Sequence, residues 1–536
     1  MRKNRPKLTE RMAKRKLALE QEALAPANMQ NRMARPEGNG GFTSGSKGLG
    51  TPKQSVAGQL TRNFQPISRS QTVTSSLERT DSRAVKLMVD PFQFINYVAW
   101  DCIQTFNEHG VLTIKGLIAE ENREKYVEMA SRETWVCAKA LDENDAEIIL
   151  FQGILTNLTV DSIHQYHTMR IEVKTGSYLL DQMPHTRTFQ PDETTYQQVI
   201  NTCLQASDGQ MVMREKQDVP TGKLTVQYEE TDWTFINRLA HRLGIVVIPE
   251  YQTQGKRILL GLVRSREREL LATRYAMSSG TSDKDSLIHF EQGVYHVSTR
   301  AIYELGEPVS FQGRRLVITK VERYLEGSEL MHSYTLCSLK SAYEQPQPHN
   351  QIKGVSMRGR VTAVKKASVQ VQLHEDENRR RSGNRWFDYA TVYSTPDGTG
   401  WFVQPEVSDE IRLIFPNADE AGAYVASSVH LETAGGRTNP DHKSWKNKQN
   451  KEVLLTPDAI HVKNNQGLSI ELDDAKGITL ASHLGIFIES EGQLQLTSEN
   501  AGVTVYGDRG VTMIQGSAQI RMKDAIDIAG GKINMN

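Results

Sequence analysis

The sequence predicts a mainly β chain. Its parts are barrel-forming regions with inserted helices, a small five-stranded barrel and a C-terminal trimeric β-prism. Three observations carry this: a short repeat filling the last part of the chain, alternating strand patterns from about residue 84, and five compact strand signals within 354–430. In the repeat, apolar pairs recur in steps of about eight: Ile460/Val462, Leu468/Ile470, Ile478/Leu480, Ile486/Ile488 and Leu494/Leu496. They continue as Val503/Val505, Val511/Met513, Ile520/Met522, Ile526/Ile528 and Ile533/Met535. A spacing of two puts both members of a pair on one face of a strand. Gly467, Gly477, Gly485, Gly492, Gly502, Gly510 and Gly530 fall between the pairs as turn residues. A five-residue strand with one apolar face cannot bury that face alone. Three copies wrapped about a common axis would close the sheet and hide the pairs. The competing arrangement is a single-chain solenoid or sandwich. The short, regular strands and the absence of Trp or Tyr anchors at the paired positions favour the trimer.

The remaining elements follow in chain order. Residues 1–83 are a basic, polar arm, with helix formers over 9–25 and Gly, Ser and Pro beyond. Residues 1–90 hold 17 Lys and Arg against 7 Asp and Glu, although the whole chain of 536 residues has 64 of each sign. No aromatic residue interleaves these charges before Phe42, so the arm is read as binding a partner protein, not nucleic acid. Residues 84–190 read as a first barrel and 191–243 as inserted helices. One helix presents Tyr196, Val199, Ile200 and Leu204 on a face. The other runs over 231–243 with Trp233, Ile236, Ala240 and Leu243 in register and Gly244 as its stop. Asp232 and Arg238 are read as structural charges on the surface of that helix. Residues 244–345 read as a second barrel.

After a Pro-rich linker, 354–430 hold strand signals at Arg360-Val-Thr-Ala-Val, Val369-Gln-Val-Gln-Leu, Ala390-Thr-Val-Tyr, Glu410-Ile-Arg-Leu-Ile-Phe and Tyr424-Val-Ala. That number and length suit a barrel of the oligonucleotide/oligosaccharide-binding (OB) type. Residues 431–453 read as a linker and 454–536 as the prism.

Composition narrows the function. Cys102, Cys137, Cys203 and Cys337 are scattered, with no metal or disulfide spacing, as expected of reduced thiols made in a cytoplasm. No apolar run reaches membrane-spanning length, and the basic N-terminus is not followed by a hydrophobic signal region. His164 and His167 stand three apart in a predicted strand, on opposite faces, so they are not read as a metal pair. His374-Glu-Asp-Glu followed by Arg379, Arg380 and Arg381 is read as a solvated charge run. No phosphate loop, nucleophile elbow or zinc spacing is present, so no catalytic residue, metal or cofactor is assigned.

Three passages carry a resemblance. Tyr178-Leu-Leu-Asp-Gln-Met with Phe189-Gln190 contributes Asp181 and Phe189. Tyr228-Glu-Glu-Thr-Asp-Trp-Thr-Phe-Ile-Asn-Arg-Leu-Ala contributes Glu230, Asp232, Phe235, Arg238 and Leu239. Gly400-Trp-Phe-Val-Gln-Pro-Glu-Val-Ser-Asp-Glu contributes Gly400, Pro405 and Asp409. Together with the order of parts, they resemble the central hub-spike proteins of contractile injection machines: phage baseplate hubs, the late control protein D family and VgrG. Ser408 stands where that family usually has Gly, and His241 where it often has an acidic residue.

The resemblance implies a non-enzymatic homotrimeric spike that organises a baseplate centre, joins it to the tail tube and punctures an envelope, touching the target membrane transiently. It implies tube and baseplate partners at the hub end, wedge proteins along the basic arm and a separate PAAR-like tip protein beyond Asn536. The expected location is a virion tail baseplate or a tail-like bacteriocin particle. A type VI secretion spike, a tail-associated wall hydrolase and a carbohydrate-binding adhesin are the alternatives.

Overall fold

The computed structural model describes residues 86–131, 133–142, 145–214, 218–262, 265–272, 274–278, 293–338, 348–380, 383–426, 439–532 and 534. The basic arm, the Pro-rich segment 339–347, the first part of the linker after 426, and Ile533 and Met535 of the repeat lie outside these residues. The chain forms two compact units, one spanning 66–431 and the other containing 432–536.

The first unit is built on a 12-stranded sheet. Its N-terminal strands are β1 (Lys86–Asp90), β2 (Asn96–Thr105), β3 (Val111–Ile118), β4 (Trp135–Leu141), β5 (Glu147–Ile163) and β6 (Tyr166–Lys174), with helix α1 (Arg123–Met129) between β3 and β4. Next come β7 (Pro184–Phe189), helix α2 (Tyr196–Ala206), β8 (Gln210–Met213), β9 (Thr225–Thr231) and helix α3 (Asp232–Leu243). Strands β10 (Val247–Pro249), β11 (Arg257–Leu260), β12 (Arg268–Glu269), β13 (Arg274–Ser278), β14 (Val294–Thr299), β15 (Pro308–Phe311), β16 (Arg314–Glu326) and β17 (Glu329–Cys337) complete it.

The sheet runs β1-β4-β5-β6-β3-β2-β16-β17-β14-β13, with β12 and β15 joined at β16. The regions read as two barrels, 84–190 and 244–345, therefore share one sheet through the β2–β16 pairing, Cys102 opposite Arg323. Alternation explains the burial. Trp100, Cys102 and Gln104 of β2 face a core with Leu112, Ile114, Met169, Ile171 and Val321, while Asp101 and Ile103 face out. His164 occupies the β5–β6 turn with φ 55°, and His167 is buried with Nδ1 2.8 Å from the Ser162 hydroxyl.

Both inserted helices have caps written into the sequence. Thr195 and Gln198 form a capping box on α2, and the Thr231 side chain accepts from Thr234 N at the start of α3. Gly244, at φ 64°, stops α3 in a conformation that suits glycine. A second core packs the helices together through Val199, Ile200, Cys203, Phe235, Ile236, Leu239 and Ala240.

The region read as the small barrel is a five-stranded sheet of β18 (Ser356–Lys365), β19 (Ser368–Leu373), β20 (Trp386–Asp388), β21 (Glu410–Ile414) and β22 (Tyr424–Ala426), in the order β20-β19-β18-β21-β22, and keeps that name below. The strand predicted at 390–393 is displaced to β20. Tyr389 and Ala390 only bridge to Val425, and the chain then turns into a hairpin closed by Ser394 against Gly400.

The second unit holds two antiparallel sheets. One comprises β23 (Lys443–Lys446), β24 (Glu452–Leu455), β25 (Ala459–Lys463), β26 (Ser469–Asp473) and β27 (Gly477–Ala481). The other comprises β28 (Val511–Gln515), β29 (Ala518–Met522) and β30 (Ile526–Ala529). Part of the expected linker is thus strand, because Trp445 finds a partner in Val453. Between the sheets, the pairs at 486/488, 494/496 and 503/505 carry no strand ladder within this chain.

Ser408 occupies φ 78° where an L-residue is strained, while its N–H donates to Val361 O at 2.9 Å. Ser408→Gly is expected to raise the small barrel's stability by about 1 kcal/mol, seen as a higher urea midpoint at unchanged slope. An unchanged or lower midpoint would show that the turn carries no removable strain.

Candidate functional site

Two places carry more structure than a generic β-protein needs: a buried polar joint between α3 and the small barrel, and an uncovered apolar face on the C-terminal sheets.

The joint begins at β9 and α3. Arg238 projects from α3 and grips Glu230 with both arms of its guanidinium, Nε to Oε1 at 2.9 Å and Nη2 to Oε2 at 2.7 Å. Its Nη1 donates to Glu420 Oε1 of the small barrel at 2.8 Å. Arg242, one turn later, donates to Glu420 Oε2 at 2.7 Å. His349 places Nδ1 3.0 Å from Glu420 Oε1 and Nε2 3.6 Å from Glu230 Oε2. Glu420 is fully buried. Burial alone would raise its carboxyl, but the His349 contact and the charges of Arg242 and Arg238 outweigh it and bring the pKa down to about 2.

A second cluster lies along β7. Arg187 donates to Asp232 Oδ1 at 2.5 Å, to Gln227 Oε1 at 2.9 Å and through Nε to Glu377 Oε2 at 3.0 Å. Asp376, also buried, accepts from Thr188 N at 2.9 Å and from the Thr188 hydroxyl. Gln190 accepts from Gly383 N at 2.8 Å. Apolar contact accompanies these bonds, because Leu224 and Val226 join the small barrel's core with Val361, Val371, Leu413 and Phe415.

The residues singled out in the sequence distribute unevenly. Phe189, Glu230, Asp232, Phe235, Arg238 and Leu239 are all buried, with Phe189 stacked on Phe235 at a centroid distance of 6.1 Å. Asp181 accepts from the Thr231 hydroxyl and so ties down the start of α3. Asp232 and Arg238, expected on a surface, are 1% and 6% exposed, Asp232 against Arg187, Gln227 and Ser207 and Arg238 between Glu230 and Glu420 of the small barrel. Gly400, Pro405 and Asp409 lie away from the joint, in the small barrel's own hairpin and turn. Asp409 accepts from Glu406 N at 2.8 Å. The run at 374–380 is exposed at His374, Glu375, Glu377, Arg379 and Arg380, as a solvated charge run would be, but Asp376 is buried and Glu377 also reaches Arg187 of the joint. Sequence reasoning also missed His349, Arg242 and Glu420.

On the C-terminal sheets, cross-strand register lines the apolar residues into rows. Val453, Val462, Ile470 and Leu480 form one row, and Leu455, Ile460, Leu472 and Ile478 the next. Val511, Met522 and Ile526 form a third row, and Met513, Ile520 and Ile528 a fourth. Leu472 joins this face, while Leu468 lies just before β26. The rows are open: Ile478 is 74% exposed, and Ile486, Ile488, Leu494, Leu496, Val503 and Val505 are each more than half exposed. A groove of about 600 Å³ runs along the first sheet, lined by Trp445, Val453, Val462, Ile470, Leu480 and Ile486.

Neither place is a catalytic arrangement. Glu230, Asp232, Glu377 and Glu420 are paired with guanidinium groups and Asp376 with Thr188, and among the described residues no cluster of three or more His, Cys, Asp or Glu has metal-binding geometry.

Comparison with known proteins agrees with this reading. Residues 136–308 match the phage tail baseplate hub (GPD) family. Francisella VgrG, in its half-lidded complex with PdpA, is similar to the hub chain with a TM-score of 0.50 at 7% identity, covering 72% of this chain and 83% of that one. An Escherichia coli type VI secretion component, c3393, is similar over 64% of this chain and all of its own, at 16% identity and a TM-score of 0.46. A 43 kDa tail protein of a Shewanella oneidensis prophage is similar over 50% of this chain and all of its own, at 8% identity and a TM-score of 0.37. No curated protein matches the sequence closely.

Breaking the joint has a calculable effect. Glu420→Ala leaves two buried guanidinium groups without their shared carboxylate, so it is expected to cost about 3–5 kcal/mol. Because the folded pKa lies below the unfolded value of 4.5, Glu420's contribution is complete above that pH and drains as pH falls toward about 2. Urea unfolding between pH 7 and pH 2 is expected to show a steeper acid loss in the parent than in Glu420→Ala. Parallel pH profiles would remove Glu420 from that role.

Proposed function

We propose that this chain is the structural spike and hub at the centre of a contractile tail or tail-like particle. The observation that carries the proposal is the uncovered apolar face of a chain whose residues 136–308 match the phage tail baseplate hub family. Rows of Val, Ile, Leu and Met at two-residue spacing stand in water on single-layer sheets. Each such side chain gains about 1.5 kcal/mol or more when buried, so the open face favours association strongly. Three copies wrapping these rows inward supply the missing cover and give the loose stretch 482–510 strand partners. The buried polar joint suits the same role, since a part that transmits thrust must resist rotation between hub and barrel.

In this reading the work is mechanical, performed by a homotrimer that is driven through the target envelope by sheath contraction. Tube and baseplate proteins meet it at the hub end, wedge proteins along the basic arm, and a PAAR-like protein covers the tip. We favour a phage tail or tail-like bacteriocin baseplate over a type VI secretion spike because of the basic arm. Genes for sheath, tube and receptor-binding fibres beside this one would support that choice, and membrane-complex genes would reverse it.

Light scattering of the purified chain is expected to give three times the chain mass of 60.3 kDa, and a folded monomer would defeat the proposal. Ile486→Asp is expected to disrupt the C-terminal trimer, because three unpaired carboxylates would meet on its axis. Gln495→Asp, between Leu494 and Leu496 and so on the opposite face, is expected to be tolerated.

A second reading rests on the small barrel's hairpin, where Val392, Tyr393, Trp401 and Phe402 are exposed around a groove of about 540 Å³. Aromatic faces at a barrel mouth suit a glycan. Array binding abolished by Phe402→Ala in an intact trimer would favour an adhesin. Clearing of a peptidoglycan gel by the purified chain would instead favour a hydrolase.

A further inference from the structure

The hub sheet buries a cation that has no anion. Arg323, on β16, is 1% exposed, and a guanidinium remains charged at any ordinary pH. Its Nη1 donates to Gln104 Oε1 at 2.7 Å and its Nη2 reaches Tyr303 O at 3.5 Å. Among the described residues, no carboxylate lies within ion-pair distance of it, and Nε has no acceptor. An isolated buried charge is among the most costly features a fold can carry.

Its neighbours sharpen the imbalance. Register sets Cys102, Arg323 and His332 directly opposite one another across β2, β16 and β17. Gln104 follows Cys102 two residues along the same face, and Trp100 precedes it by two. The Tyr251 ring centre lies 5.8 Å from the guanidinium carbon. In the same core as Arg323 Nε, the buried Gln104 Nε2, Trp100 Nε1, Tyr251 hydroxyl and both His332 ring nitrogens lack protein partners. His332 is pushed down to about 3 by burial and by Arg323, so it is neutral and offers one N–H and one acceptor. Burial pushes the Cys102 thiol up, so it brings no negative charge.

The inventory is therefore rich in donors and poor in free acceptors. Arg323 Nε, Gln104 Nε2, Trp100 Nε1, the Tyr251 hydroxyl and one His332 nitrogen can donate; the acceptors are the other His332 nitrogen, the Tyr251 oxygen, and the Cys102 sulfur, Gln104 Oε1 and Tyr303 O that Arg323 already engages. Water satisfies such a set poorly, because each water brings two hydrogens that need acceptors of their own. A monovalent anion accepts from several donors at once and cancels the single charge of Arg323. We propose that the β2–β16–β17 wall of the hub holds a small inorganic anion of the halide class, chloride in ordinary buffers. Arg323 supplies its charge, Gln104 and Tyr251 supply hydrogen bonds, and His332 is a neutral donor.

The anion is expected to be structural. It ties together β2, from the first strand region, and β16 and β17, from the second, where the two share one sheet. A ligand held by the folded state alone stabilises that state by mass action.

Two measurements on the full-length protein test this. Crystals grown with bromide in place of chloride are expected to show an anomalous difference peak in contact with Arg323 Nε. A site holding only ordered waters, or no peak there, would overturn the proposal without any variant having to fold. In parallel, the unfolding midpoint at fixed ionic strength is expected to rise on replacing gluconate by chloride, and Arg323→Met is expected to lose that rise. A chloride response that persists in Arg323→Met would place the anion elsewhere and count against this site.

Discussion

Glu420 sits at the point on which the first unit's geometry depends. It belongs to the small barrel, has no solvent exposure, and receives Arg238 and Arg242 from a helix nearly two hundred residues earlier in the chain. Apolar contact is non-directional, so Leu224 and Val226 in the barrel core would permit the barrel to rotate on its seat. The bonds of Arg238 and Arg242 to the two oxygens of Glu420 do not permit this, because two N–H bonds to one carboxylate fix an angle as well as a distance. Desolvation makes the contact all-or-none: with one partner withdrawn, the others remain as buried charge. Helix α3 therefore has two faces to satisfy. Phe235, Ile236 and Leu239 serve the helical core, and Asp232 and Arg238 serve the joint.

The same physics explains what could be read in the sequence. Helix α3 was legible because its period, its Thr231 cap and its Gly244 stop are local, and the Tyr228–Ala240 passage carries a family pattern. Its burial on the charged side was not legible, since Asp and Arg on a helix read as solvent-facing until another element covers them. Asp376 and Glu377 are the sharper case. In the chain they sit in a run of nine charged or polar residues, 374–382, that looks solvated, and only the approach of β7 turns them into acceptors for Thr188 and Arg187. Glu420 and His349 give no local signal at all. The misplaced strand at 390–393 has a similar cause. Its β-branched and aromatic composition suits a strand, but the Ser394–Gly400 hairpin takes its backbone elsewhere.

In the C-terminal unit, local pattern and realised structure separate for another reason. Ten apolar pairs were read at strand spacing. Rows of register form where neighbouring strands are linked by short turns, at 459–481 and again at 511–529. Strand propensity is a property of a segment, whereas a ladder is a property of two. The pairs at 486, 494 and 503 have the first without the second within one chain. A two- or three-stranded single layer is also marginal unless its apolar face is covered.

The two places thus solve opposite problems with opposite chemistry. The joint must be correct before any other copy arrives, so it is built from directional, desolvated bonds within one chain. The C-terminal apolar face has no cover among the described residues, because every row it forms is one layer thick. Apolar area is suited to association, since it adds favourable energy in proportion to what is covered without demanding a unique pairing of donors. Uniqueness of register must then come from the turns. Gly467, Gly477, Gly510 and Gly516 hold φ between 61° and 118°, where other residues are strained. A one-residue slip would turn every Ile and Val of the rows outward and every Lys, Asp and Gln inward. The turns therefore decide which face is offered for association, and the apolar rows decide how strongly it is taken up.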